Sequence, residues 1–185
     1  MMERFKFTGK FFITWYIMKI DDIMFMLRAV SASKFSQCVS VNVGAALRNG
    51  NGRVFVGANN TVDPSHRCTD QCNHLLDDNG KLSEEKRPEH SQWSDLNEVH
   101  AEMRVIMLAA SHEQIKDATL YTTHSPCSQC AKNIEFCVAT GMIKRVVYLH
   151  KYDRGGIEWI WRLQQYGAEV VQLDPEELNK HFRIK

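Results

Sequence analysis

The sequence has almost no excess of charge of either sign. It contains 23 Lys and Arg residues against 22 Asp and Glu residues, which gives a formal net charge of +1. Proteins that bind the phosphate backbone of nucleic acids usually carry a clear basic excess. The balance therefore disfavours a nucleic-acid polymer as partner and favours a small-molecule substrate.

The sequence also lacks a hydrophobic run long enough to cross a bilayer. Its most apolar stretch is residues 11–18 (FFITWYIM), whereas a spanning helix needs about 20 apolar residues. No small-residue cleavage site of a secretory signal follows, and Asp21 and Asp22 come soon after. We predict no membrane contact, and we interpret residues 1–17 as a dispensable N-terminal extension with Met18 as an alternative start. An additional packing strand or helix is the alternative.

No repeat, low-complexity tract or interdomain linker divides the chain, so residues 18–185 are predicted to form one domain. Apolar periodicity and turn residues predict helices and strands that alternate after an initial helix and hairpin. This order favours an α/β fold with a mixed sheet. The predicted helices cover residues 20–35, 95–110, 127–139 and 157–166, with another starting at 174, and the strands cover 43–47, 53–57, 118–123, 145–149 and 168–173. Residues 58–80 are predicted to be a loop, and 82–88 a solvated surface segment.

Two short motifs carry the chemistry. His100-Ala101-Glu102 is followed by Pro126-Cys127-Ser128-Gln129-Cys130. One imidazole and two thiolates form a three-ligand zinc set that leaves the fourth position open for water. Zinc lowers the pKa of bound water, and a carboxylate two residues after the histidine can move that water's protons. The combination H-x-E and P-C-x-x-C is typical of zinc-dependent nucleobase deaminases.

Two structural interpretations compete with this one, namely a closed zinc knuckle and a redox C-x-x-C with an unrelated histidine. A closed site would need a fourth Cys or His at zinc-finger spacing after Cys130, and none follows. Helix geometry adds a constraint, because residues two apart on a regular helix diverge by about 200°. His100 and Glu102 are therefore expected at a helix entry, and Cys127 in the first turn of another helix. The six cysteines are expected to be reduced thiols of a cytosolic protein.

With these motifs the chain resembles the deoxycytidylate (dCMP) deaminases of bacteriophage type, within the cytidine deaminase-like superfamily. The similarity extends from about residue 18 to 182 and is strongest over residues 90–102 and 125–132. The resemblance implies a three-layer α/β/α sandwich with a sheet of about five strands. It implies a catalytic zinc on His100, Cys127 and Cys130, with Glu102 as proton acceptor and donor. It also implies hydrolysis of dCMP to dUMP and ammonia for thymidylate supply, in the host cytoplasm if the protein is phage-encoded.

The resemblance further implies a second, structural zinc. Its ligands would be Cys38, Cys68, His90 and Glu98, a closed set of two thiolates, an imidazole and a carboxylate. His66, Cys72 and His74 are rival ligands in the same region, and free thiols beside an unconnected carboxylate remain the simple alternative. Homo-oligomers, often hexamers, are usual in the family, as is control by dCTP and dTTP, with Mg²⁺ accompanying a triphosphate effector.

Substrate contacts are implied for Asn59, Ala101, Ser125 and Tyr152. The family motif Gly-Tyr-Asn-Gly is replaced here by residues 57–60 (GANN), which keeps the amide of Asn59 but puts allosteric control in doubt. Arg104 and His124 also depart from the family pattern. Each is interpreted either as a contact to the phosphate or base, or as a hydrogen-bonded polar side chain without a binding role, which is the simpler interpretation.

Other functions compatible with the sequence are deamination of a 5-modified or triphosphorylated cytosine nucleotide, a non-catalytic zinc-stabilised binding module, and a polynucleotide editor. Glu102 argues against the binding module, because a purely structural site does not need that carboxylate. The small net charge argues against the editor.

Overall fold

A mixed five-stranded sheet forms the centre of the protein. The computed structural model describes residues 9–152 and 156–181, and the side chains of residues 20–152 and 156–180. The strands are β1 (Gly44–Arg48), β2 (Val54–Ala58), β5 (Ala118–His124), β6 (Ile143–His150) and β7 (Glu169–Gln172). They lie in the order β2-β1-β5-β6-β7, with β1 antiparallel to β2 and β5, and with β5, β6 and β7 parallel. The predicted mixed sheet of about five strands is confirmed.

Helices cover both faces of the sheet. One face packs against α4 (Ala101–His112), α5 (Ser128–Ala139) and α6 (Glu158–Gln165), and the other against α1 (Gly9–Ser33) and α7 (Pro175–His181). Alternate residues of a strand point to opposite faces, which splits the core in two. In β6, for example, Val146 belongs to the first core and Val147 to the second. The predicted three-layer α/β/α sandwich is confirmed.

Helix α1 lies in direct contact with the sheet because β1 begins with a glycine. A Cβ on Gly44 would lie 2.0 Å from the carbonyl oxygen of Ala29 in α1. A buried ion pair fixes the same helix on β6, where the guanidinium of Arg145 donates two hydrogen bonds to Asp22. The hydroxyl of Tyr121 also donates to Asp22, over 3.1 Å, so the buried carboxylate is fully engaged.

This first helix begins earlier than predicted, at Gly9 rather than at residue 20. The predicted extension, residues 1–17, therefore supplies part of α1, while residues 1–8 lie outside the described residues. Its dispensability stays a prediction. No helix in the described parts of the chain is both long and apolar enough to cross a membrane.

A long insertion between β2 and α4 carries the remaining short elements. They are β3 (Asn60–Thr61), α2 (Cys68–Gln71), a 3-10 turn (Asn73–Leu75), α3 (Arg87–Asn97) and β4 (Glu98–Val99). Cys68, Cys72, Leu75 and Leu82 form a small core of their own here. The predictions of an irregular loop over 58–80 and a solvated segment over 82–88 are thus wrong in part, because the loop contains short helices and Leu82 is buried.

The predicted helix over residues 95–110 is wrong at residues 98–100, which are not helical. The chain leaves α3 at Asn97, runs extended through Glu98 and Val99, and re-enters a helix at Ala101. The break has a tertiary cause, because β4 pairs with β3, with Thr61 opposite Glu98. Local apolar spacing carries no sign of this pairing with a distant segment.

Candidate metal centre and active site

Three of the predicted ligands meet at the entries of two helices. The Nδ1 atom of His100 lies 3.4 Å from Sγ of Cys127 and 3.3 Å from Sγ of Cys130. All three ligand atoms lie within 4.8 Å of one another. Tetrahedral zinc, with bonds of about 2.3 Å to sulfur and 2.0 Å to nitrogen, holds such atoms roughly 3.5–3.8 Å apart. The donor set and its spacing therefore fit a zinc ion.

Helix geometry explains why these side chains converge. His100 is the N-cap of α4 and has an extended backbone, with φ −62° and ψ 149°. Cys127 is likewise the N-cap of α5, and its sulfur accepts a hydrogen bond from the backbone N–H of Cys130. The N-terminal ends of both helices favour negative charge, which suits thiolate ligands. The predicted placement of both motifs at helix entries matches the structure.

The side chains of this cluster are linked by hydrogen bonds, and a bound metal ion would take the place of the shared protons. A hydrogen bond from Cys130, followed by one from His100, lowers the pKa of the Cys127 thiol to about 4. The same contact with Cys127 raises the pKa of Cys130, and a hydrogen bond to Cys127 raises the pKa of His100 to about 9. Metal binding displaces such protons, since thiolates and neutral imidazole are the ligating forms.

Glu102 lies beside the cluster as a buried carboxyl group. It is 4% exposed and occupies the second position of α4. Desolvation is the main cause that raises the pKa of Glu102 to about 7. A hydrogen bond to the backbone and the charge of His100 lower the pKa and offset part of this rise. A group with a pKa near neutral both accepts and donates protons readily under physiological conditions.

A cavity of about 600 Å³ opens onto these groups. Of the residues predicted to contact substrate, Asn59, Ser125 and Tyr152 line it. Ala101 is fully buried and is not among the lining residues. The structure thus brings three of the four to the cavity wall.

Asn59 shapes the cavity through its own hydrogen bonds. Its Oδ1 accepts from the backbone N–H of Val43 over 2.8 Å and from the hydroxyl of Ser36 over 2.7 Å. Its Nδ2 donates to the carbonyl of Val41 over 3.1 Å. The amide therefore fixes the segment before β1 and has one Nδ2 hydrogen beyond these bonds.

A second cluster forms from the other predicted ligands. Nε2 of His90 lies 3.3 Å from Sγ of Cys68 and 3.6 Å from Sγ of Cys38, and the three ligand atoms are within 4.8 Å of one another. A hydrogen bond with Cys68, together with burial, raises the pKa of the Cys38 thiol. The spacing again fits a tetrahedral zinc site.

The fourth predicted ligand, Glu98, has one oxygen satisfied and one not. Its Oε2 accepts a hydrogen bond of 2.6 Å from the hydroxyl of Ser94, while the buried Oε1 has no hydrogen-bond partner. An unsatisfied buried carboxylate oxygen is costly unless a cation neutralises it. Glu98 is close enough to Cys38 to raise the pKa of that thiol through its charge, but its carboxylate oxygens, like the sulfur of Cys72, lie outside the group of mutually close ligand atoms.

The rival ligands have other surroundings. His66 packs against the ring of Trp93, with centroids 5.7 Å apart, and His74 contacts Glu89 at 3.3 Å on the surface. Cys72 is buried and hydrogen-bonds to Cys68, but it is not in the group of mutually close ligand atoms. All six cysteines are free thiols.

Sequence reasoning missed much of the cavity wall. Cys38, His90, Glu98 and His124 also line the cavity, and the sequence had singled them out for other reasons. The lining residues that it did not single out are Ser40, Val41, Val43, Ser91, Ser94, Asp95, Val99, Met103, Met107, Ser128 and Gln129. The only available signal was position, since several of them flank the two motifs. Ser94, one helical turn before Glu98, is the clearest example.

Comparisons with known proteins agree with this geometry. The family model described as the cytidine and deoxycytidylate deaminase zinc-binding region matches residues 19–150. The deoxycytidylate deaminase of Enterobacteria phage T4 is 33% identical over 177 residues, which cover 82% of this chain and 89% of the phage protein. The ComE operon protein 2 of Bacillus subtilis is 27% identical over 156 residues, with coverage of 83% and 71%.

The fold has a solved counterpart of the same kind. The crystal structure of the dCMP deaminase of cyanophage S-TIM5, in complex with dCMP and dUMP, superposes with a TM-score of 0.58 at 27% identity and covers 81% of this chain and 94% of that one. The chain belongs to the cytidine and deoxycytidylate deaminase family, and it is similar to the phage-type dCMP deaminases within it.

Proposed function

We propose that the protein hydrolyses dCMP to dUMP and ammonia. The observation that carries this proposal is the buried carboxyl group of Glu102, whose pKa is raised to about 7 beside the cluster of His100, Cys127 and Cys130. The relatives of phage T4 and cyanophage S-TIM5 are named for this reaction, which supports the same substrate here.

His100, Cys127 and Cys130 would hold the zinc ion. When bound, zinc lowers the pKa of water and so supplies a nucleophile at neutral pH. Glu102 accepts the proton released by the water and delivers it to N3 of the cytosine ring. Once the water oxygen is bonded to C4, Glu102 takes the remaining proton of that hydroxyl and gives it to the amine, which leaves as ammonia while C4 becomes the carbonyl of dUMP. Burial of Glu102 keeps bulk water away from these transfers.

The test is ammonia release by the purified zinc-loaded protein from dCMP, dCTP, cytidine and 5-methyl-dCMP. We expect dCMP to have the highest kcat/KM. Turnover of cytidine alone would contradict a nucleotide substrate, and faster turnover of dCTP or 5-methyl-dCMP would replace dCMP with that compound.

The second cluster supports a structural zinc on Cys38, Cys68, His90 and Glu98. Two observations support this zinc site. The ligand atoms of Cys38, Cys68 and His90 lie within 4.8 Å of one another, and the buried Oε1 of Glu98 has no hydrogen-bond partner. Elemental analysis of the purified protein should give two zinc ions per chain. A single zinc that Cys127→Ser abolishes would contradict the second site.

Cytoplasmic location, oligomeric assembly and control by dCTP, dTTP and Mg²⁺ stay predictions from the family resemblance. Size measurement in solution and dCMP assays with each triphosphate would test the last two.

A further inference from the structure

The catalytic cavity has an unusual charge balance for a site that takes a nucleotide. Its described lining residues include the carboxyl groups of Asp95, Glu98 and Glu102, and none of them is Lys or Arg. A 5′-phosphate carries close to two negative charges at neutral pH. Charge complementarity therefore requires a cationic or hydrogen-bond-donating group elsewhere along the path of the substrate.

Among the described side chains, three histidines line the cavity, and two of them belong to the metal clusters. His90 and His100 are these two, which leaves His124. His124 ends β5 and pairs in register with His150 at the end of β6, with their rings 5.4 Å apart. In α/β sheets, ligands bind at the carboxyl ends of parallel strands, which is where both residues lie.

The hydrogen bonds around His124 prepare its ring as a donor. The hydroxyl oxygen of Thr123 accepts the backbone N–H of Gly44 over 3.0 Å and lies 3.1 Å from Nδ1 of His124. The hydroxyl hydrogen can donate to Nδ1, and in that arrangement the neutral ring carries its hydrogen on Nε2 and can donate it to an anion. Burial and the neighbouring His150 lower the pKa of His124, and an anion beside the ring would offset both effects.

A second cavity, of about 520 Å³, adjoins the first. The two share Ser125 and Tyr152 in their walls, and Lys151 is the one Lys or Arg among the described lining residues of the second. The backbone N–H of Tyr152 donates to the hydroxyl of Ser125 over 2.8 Å, and Ser125 N–H donates to the carbonyl of His150. These bonds tie the segment that carries Lys151 to the segment that carries His124.

We propose that the 5′-phosphate of the substrate binds at the ends of β5 and β6, where His124 donates a hydrogen bond and Lys151 supplies the positive charge. This inference rests on the proposed nucleotide substrate and names the residues that distinguish a nucleotide from a nucleoside. The base lies toward Glu102, and the phosphate points past Ser125 and Tyr152 toward the second cavity.

The test compares substrates with and without the phosphate. In Lys151→Met we expect kcat/KM for dCMP to fall about 10- to 100-fold, mainly through KM, because charge-assisted hydrogen bonds to phosphate have this magnitude. Deoxycytidine turnover should change less than about twofold, and Lys151→Arg should restore most of the dCMP activity. His124→Leu should show the same selectivity with a smaller effect, since it removes a neutral donor.

Lys144→Met is the matched control, because Lys144 is an exposed lysine near the start of β6, whereas Lys151 directly follows the other end of that strand. It should leave dCMP kinetics unchanged. Binding of the product dUMP, measured by calorimetry, provides a readout that does not depend on turnover of a poor nucleoside substrate. Its Kd should rise at least tenfold in Lys151→Met and stay constant in Lys144→Met.

The inference is overturned if Lys151→Met leaves dUMP affinity unchanged, or if it reduces dCMP and deoxycytidine turnover by the same factor. Absence of dCMP turnover in the wild-type protein is a different result, because it would contradict the proposed function itself. Retained dCMP turnover with an unaltered dUMP Kd in the variants would contradict the phosphate site alone.

Discussion

The cluster around His100 and the cluster around His90 each combine one imidazole with two cysteine sulfurs, yet their surroundings differ. His100 faces its sulfurs with Nδ1 and is half-buried, whereas His90 uses Nε2 and is 4% exposed. Beside the first cluster lies Glu102, whose pKa is raised to about 7, and beside the second lies Glu98 with one unsatisfied oxygen. The comparison teaches that the carboxylate decides the role. Under the proposed function, Glu102 would transfer protons and Glu98 would complete a closed ligand set.

Glu102→Gln should have the largest effect on activity. The amide keeps the shape of the side chain but cannot accept and return a proton, so kcat for dCMP should fall by about 10²- to 10⁴-fold or more. Zinc content and the thermal midpoint should remain close to wild type. An unchanged kcat would show that Glu102 does not transfer protons, and the proposed difference in role between Glu102 and Glu98 would then be wrong.

Cys68→Ser should act mainly on stability. Loss of the second zinc should lower the free energy of unfolding by about 4 kcal/mol or more, the range associated with a lost metal. Denaturant titration measures this, together with a fall from two zinc ions to one. Cys137→Ser is the matched control, because Cys137 is a buried cysteine outside both clusters. Equal losses in the two variants would indicate a packing defect instead of a metal site.

Chelation should separate the clusters by accessibility. Two of the three residues around His100 are half-buried, whereas two of the three around His90 are buried. A chelator should therefore remove activity and one zinc before the thermal midpoint changes, and unfolding should accompany loss of the second ion. Activity and circular dichroism, followed over a single titration, measure both events. Simultaneous loss of activity and folded structure would mean that the chelator reaches both clusters equally well.

Ser94→Ala should have the smallest of these effects. It removes the hydroxyl that holds Oε2 of Glu98 at 2.6 Å, and loss of such an outer hydrogen bond typically weakens metal affinity about 10- to 100-fold. Competition with a zinc indicator measures the change. The catalytic zinc should keep its affinity, and weakening of both ions would show that Ser94 serves the cavity as a whole.

The same contrast separates what the sequence could predict from what it could not. The ligands of the first cluster are local, since each motif spans only a few residues at a helix entry, and the spacing alone suggested how they meet. The second cluster brings Cys38 together with Cys68 and His90 from distant segments, and only the family resemblance pointed to it. Local periodicity likewise predicted the central sheet well.

The failures lie where distant pairing overrides local pattern. β3 and β4 are two residues each, too short for any periodic signal, yet their pairing breaks the predicted helix and leaves His100 as an N-cap. Without that break, His100 and Glu102 would point apart on a continuous helix. The cavity wall was hidden for a related reason, because its residues come from several segments that only the tertiary fold assembles.

Gly44 connects the outer layer of the molecule to its chemistry. Its missing Cβ lets α1 rest against β1, and its N–H engages Thr123, the neighbour of His124. Any larger residue there would displace a helix on one side and disturb the substrate wall on the other. A substitution at Gly44 is therefore expected to make the protein heat-sensitive and, by the same displacement of the backbone, to weaken its affinity for the nucleotide.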